Sequence, residues 1–152
     1  MIKTISKILT PLQVYFSGKL SINKFIPGIA WFFVLLILLF LPGKDLPETN
    51  DWLNKIYFDK WVHAGLFGFL AFLLMSPVYA SELLLKKKIL FVLIIAFSVS
   101  IWGLTTEFLQ NALIEGRSFD IGDWIADTFG AIIAIFPAKR FFLNNQQPFQ
   151  GS

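Results

Sequence analysis

Residues 61–80 read WVHAGLFGFLAFLLMSPVYA, an unbroken run without Asp, Glu, Lys or Arg. A membrane-crossing helix needs about 20 predominantly apolar residues, so this run has the length of a span. Hydrocarbon offers no partner to unpaired backbone, and a single spanning segment of this kind must be helical. The run at 89–114 qualifies equally. Those at 26–41 and 121–136 are shorter; they reach spanning length when Phe25 is counted into the first and an extension through Phe142 into the last. Composition agrees, with 56% apolar residues, 18 Phe and 15% charged residues in a chain of 152, against about 45–50% apolar and about 25% charged in soluble domains. The expected fold class is all-α: an integral membrane protein of four transmembrane helices, with a short amphipathic helix at the N-terminus.

Lysine and arginine placement orients the bundle. Lys3, Lys7, Lys19 and Lys24 precede the first run, Lys86, Lys87 and Lys88 separate the second and third, and Lys139 and Arg140 follow the fourth. These nine outnumber the four in the other two loops, Lys44, Lys55, Lys60 and Arg117. The positive-inside rule then places both termini in the cytoplasm and residues 42–60 and 115–120 outside. Three segments follow: 1–25, with Ile2, Ile5, Ile8, Leu9 and Leu12 at helical spacing beside lysines as on a membrane surface; a membrane domain, 26–143; and a polar tail, 144–152. A secretory signal is disfavoured, because FLPGK at 40–44 offers no small-x-small cleavage site. Cysteine is absent, which excludes disulfides and thiolate chemistry. The lysine clusters form no continuous basic face, so nucleic acid is not an expected partner.

Several polar residues sit where lipid should exclude them. Asp59 and His63 share a face at the start of the second span, being four apart. Glu107 and Gln110 continue a stripe through Ala96, Ser100 and Gly103 on the third. Asp120, Asp123 and Asp127 begin a face of the fourth that runs on through Gly130, Ala131 and Ala134. Small residues admit close helix approach in lipid, so these faces are expected to meet other helices. The alternating orientation brings all the polar groups to the outer end of the bundle. At 1.5 Å per residue Asp123 and Asp127 sit roughly 5–12 Å below the start of the fourth helix. Capping is the plain role for Asp59 and Asp120, and Gly116 is placed to stop the third helix. Glu107 and Asp127 lie beyond cap positions, where a charge costs about 2.5–3.5 kcal/mol to insert and marks a functional site. Asp59, Glu107, Asp120, Asp123 and Asp127 exceed the nearby Lys60 and Arg117. A divalent cation, a cationic ligand or bound protons must balance that excess. Trp31, Trp52, Trp61, Trp102 and Trp124 fall mostly near span ends, as in an interfacial belt.

The stretches DKWVHAGLFGFLAFLL (59–74), TTEFLQ (105–110) and GRSFDIGDWIADTFGAIIA (116–134) together resemble the VanZ-like family, through the ordered set D-K-x-x-H, E-x-x-Q, G-R and D-x-x-x-D/N-x-x-G. The resemblance spans 31–136 and carries Asp59, Lys60, His63, Glu107, Gln110, Arg117, Asp123 and Gly130 into the family pattern. Asp127 departs from it, since Asn is usual there, and Ala64 stands where an aromatic is usual. The resemblance implies a multi-pass protein of the bacterial cytoplasmic membrane and an association with resistance to the lipoglycopeptide teicoplanin, without an established catalytic chemistry.

The leading functional expectation is a non-enzymatic protein whose outward polar pocket, built from Asp59, Lys60, His63, Glu107, Gln110, Arg117, Asp123 and Asp127, binds an envelope lipid, a lipid-linked precursor or an amphiphilic antibiotic. Arg117 and Lys60 would take its phosphate or carboxylate. The alternative is an intramembrane metal-dependent enzyme acting on lipid-linked phosphate or glycan. Ion-coupled transport through Glu107 and Asp127 ranks last, because no comparable carboxylate lies in the inner half of the spans.

Overall fold

The computed structural model describes residues 20–40 and 57–143. Within them the chain forms α1 (Ile26–Leu39), entered through a 3₁₀ turn at Ile22–Phe25, then α2 (Phe58–Tyr79), α3 (Leu85–Leu113), α4 (Ile121–Ile133) and α5 (Ile135–Leu143). Residues 1–19 of the expected amphipathic segment 1–25, the loop carrying Lys44, Trp52 and Lys55, and the polar tail lie outside the described residues. Four segments are long and apolar enough to cross a membrane: Ile22–Leu39, Phe58–Tyr79, Leu85–Leu113 and Ile121–Arg140. Large apolar side chains such as Ile37, Phe97, Phe129 and Phe136 point outward and exposed, as suits helices set in lipid.

The helices alternate in direction. Gln110 Nε2 donates to the Leu39 carbonyl at 2.9 Å, joining the C-terminal ends of α1 and α3. Lys60 Nζ lies 2.7 Å from Asp120 Oδ2, joining the N-terminal ends of α2 and α4. The polar residues therefore share one end of the bundle, and Lys24, Lys86, Lys87, Lys139 and Arg140 belong to the other. Helix α2 is the hub: its Phe67, Leu70, Ala71 and Met75 are buried against Leu35 and Leu39 of α1, Val92 and Val99 of α3, and Ala131 and Ala134 at the end of α4. The small-residue faces meet helices as expected. Ser100 Oγ and Thr128 Oγ1 are 2.7 Å apart across α3 and α4, and the backbones of α2 and α4 nearly touch at Gly68 and Gly130.

The fourth span, Ile121–Arg140, has the expected length, with a turn residue at Ala134, itself in the right-handed helical region, between α4 and α5. Pro137 lies four residues after Ile133 and has no N–H to return to that carbonyl, so one helical hydrogen bond is missing there. Three of the four described tryptophans also pack within the bundle. Trp31 donates to the Leu66 carbonyl at 3.1 Å and Trp124 to the Ser100 carbonyl at 3.1 Å, both inside the bundle, while the Trp102 Nε1 is buried within α3. Trp61 alone of the four described is largely exposed at a span end.

Lys88 does more than mark topology. It is buried, and its Nζ donates to the Tyr79 carbonyl at 2.7 Å, supplying a partner to the C-terminal end of α2. Such ends carry carbonyls with no partner inside the helix. Lys88→Met should therefore cost roughly 1–3 kcal/mol of stability in detergent, the range for a lost hydrogen bond with a charged partner. Lys86→Met, at an exposed position, should leave thermal unfolding unchanged; equal effects from the two would remove the structural role of Lys88.

Candidate functional site

The turn after α3 reverses at Gly116, whose φ of 83° is open to glycine at little cost. Asp120 then caps α4 as expected, its Oδ1 accepting the Gly122 N–H at 2.7 Å. Asp59 does not cap α2. That position belongs to Tyr57, which has a left-handed φ of 52°, and Asp59 falls in the first helical turn with its side chain exposed.

Around this end lies a polar cavity of roughly 650 Å³. Asp59, His63, Glu107, Gln110, Arg117 and Asp123, six of the eight residues singled out from sequence, line it, together with Asp120 and with Glu115, Gly116 and Ser118 of the turn. Glu115 and Ser118 went unread because they sit in a loop with no periodicity to assign them a face.

The remaining two, Lys60 and Asp127, form the cavity's supports. Lys60 is not free to bind an anion. Its ammonium lies 2.7 Å from Asp120 Oδ2 and 2.9 Å from Asp123 Oδ1, with Asp59 Oδ2 at 3.4 Å. The ion pair and hydrogen bond with Lys60 hold the Asp120 carboxyl below its ordinary range. Gly122 makes this arrangement fit, since a Cβ there would lie 2.7 Å from Lys60 Cε.

Beneath the ammonium lies a second, drier layer. His63 Nδ1 sits 3.0 Å from Asp127 Oδ1, and His63 Nε2 lies 3.8 Å from Asp123 Oδ2. The imidazole is parallel to the buried Phe67 ring, with the ring centroids 6.3 Å apart. Asp127 is 0% exposed and fits against Gly103, where a Cβ would approach its Oδ2 to 2.7 Å. Glu107, 1% exposed, uses Oε2 to accept the Asp120 N–H at 3.1 Å. Its Oε1 and Asp127 Oδ2 are buried without a hydrogen-bond partner among the described residues. Gln110 lines the cavity and also ties α3 to α1.

Arg117 is half-buried on the cavity wall. None of the salt bridges among the described residues involves its guanidinium. The cavity thus presents a guanidinium outside every ion pair of the described residues, the exposed carboxylates Asp59 and Glu115, and a histidine braced from behind by a buried carboxylate.

The sequence profile of the VanZ/LLP1 family matches residues 2–143, and the chain belongs to that family. No curated protein and no solved structure matches it. Family membership and the four apolar helices make it a multi-pass membrane protein.

Proposed function

We propose that the chain resides in the bacterial cytoplasmic membrane with both termini inside, and that its cavity opens outward to bind the polar head of an envelope lipid, a lipid-linked precursor or an amphiphilic lipoglycopeptide. The single observation carrying this reading is a roughly 650 Å³ polar cavity at the end of an apolar bundle, with Arg117 on its wall outside every ion pair of the described residues. A guanidinium is suited to bidentate contact with phosphate or carboxylate. Asp59 and Glu115 on the same wall suit hydroxyl or amino donors of the ligand. The basic residues at the far end of the bundle support the orientation through the positive-inside rule.

Purification with native lipids followed by mass spectrometry of the bound species tests this. Arg117→Ala should weaken retention by about tenfold, the size of one lost charge-assisted hydrogen bond. Unchanged retention in a folded Arg117→Ala protein would remove the anion-binding role.

A second reading is favoured by His63, whose Nδ1 is held by buried Asp127 while the ring lines the cavity. A carboxylate that orients an imidazole prepares it for proton transfer. On this reading the protein is an intramembrane enzyme acting on lipid-linked phosphate or glycan. Turnover of such a lipid, abolished in Glu107→Gln, would select it over simple binding.

A further inference from the structure

We propose that His63, Glu107 and Asp127 form a binding site for a zinc-type divalent cation at the floor of the cavity. One ligand atom from each of the three lies within 4.8 Å of the other two, and all three residues are buried. Two carboxylate oxygens in this layer, Glu107 Oε1 and Asp127 Oδ2, have no hydrogen-bond partner among the described residues. A buried charge needs a partner or a metal, and the neighbouring ammonium is already taken.

That last point separates this cluster from the other acidic group. Asp59, Asp120 and Asp123 also lie close together, but Lys60 Nζ sits among them at 2.7–3.4 Å and supplies their counter-charge. Among the described residues the lower layer sets the single His63 imidazole against two carboxyl groups, Glu107 and Asp127, each with one oxygen left unpaired.

The donor set selects the ion. One imidazole with two carboxylates suits a borderline first-row ion, whereas Mg²⁺ and Ca²⁺ prefer oxygen alone. Zinc takes such donors at about 2.0–2.2 Å, so the three side chains would close on it by about an ångström. Three protein ligands leave a coordination position open. His63 and Glu107 both line the cavity, so that position faces the cavity, where water or an anionic oxygen can enter. The site stands independently of which molecule fills the space above it.

The test uses the full-length, untagged protein in detergent, stripped with chelator and then equilibrated with zinc chloride. One zinc ion per chain is expected. Asp127→Asn and Glu107→Gln should each weaken binding by at least about 10- to 100-fold, the loss known even for partners that only support a metal ligand. Asp59→Asn should retain the ion, because it belongs to the lysine-neutralised group. His63 is the chain's only histidine and cysteine is absent, so zinc X-ray absorption of the wild type reads the site without ambiguity. One imidazole nitrogen with oxygen neighbours supports the proposal even if the variants fail to fold. A wild type that holds no stoichiometric zinc, a spectrum without imidazole, or full zinc retention in folded Asp127→Asn overturns it.

Discussion

Gly130→Ala is expected to abolish the folded protein. A Cβ at this position would collide with the Ala64 carbonyl oxygen and lie 3.0 Å from the Ala64 Cα. Both are backbone atoms, so no side chain can swing aside to admit it. The two backbones stay close a turn further along α2, where a Cβ on Gly68 would stand 3.0 Å from the Gly130 carbonyl oxygen. Relief requires α2 and α4 to separate. Overpacking alone costs about 1–3 kcal/mol, but separation here also reaches the site. His63 precedes Ala64 by one residue and Asp127 precedes Gly130 by one turn, so the same movement draws apart atoms now 3.0 Å from each other. Loss of the monodisperse peak in gel filtration is the expected readout. Gly65→Ala is the matched control, since nothing lies within 4 Å of its added Cβ and alanine favours a helix by about 1 kcal/mol over glycine. If Gly130→Ala folds as well as Gly65→Ala, the close crossing does not organise the bundle.

The spans and the shared depth of the polar groups were legible because both follow from local pattern. Apolar run length identifies a span, and alternation of direction places His63, Glu107 and Asp127 in one layer. Their contact was not legible. Asp127 and His63 are 64 residues apart, and their meeting depends on how closely two helices approach, which Gly68 and Gly130 decide through backbone contacts that no periodicity reports. Lys60 shows another limit. A charge count pairs it equally well with a ligand or with the aspartates; the packing of α2 on α4, with Gly122 leaving room for the lysine stem, sets its ammonium on Asp120 and Asp123. Trp31 and Trp124 show a related limit, because an indole near a span end can serve an interface, a neighbouring helix's carbonyl or both.

His63→Leu should be the most destabilising change within the site itself. With the imidazole gone, Asp127 would remain at 0% exposure with no hydrogen-bond partner on either oxygen among the described residues, since Oδ2 already has none. Removing one member of a buried charged pair costs about 3–5 kcal/mol, mostly through the partner left behind. Asp127→Asn is a gentler change. Its amide keeps an oxygen where Oδ1 accepts from His63, keeps the shape that fits Gly103, and places Asn where the family pattern has it, so a loss of about 1 kcal/mol is expected. The informative variant is the double, His63→Leu with Asp127→Asn, because it removes the imidazole without stranding a charge. Unfolding in chelator, so that bound metal does not enter the comparison, should place the double closer to Asp127→Asn than to His63→Leu. The coupling energy should fall within the roughly 0.5–3 kcal/mol of residues in direct contact. A double variant whose loss equals the sum of the two singles would mean that the carboxylate and the imidazole are energetically independent. The cost of His63→Leu would then come from the changed shape beside Phe67, and Asp127 would need a different partner to account for its burial.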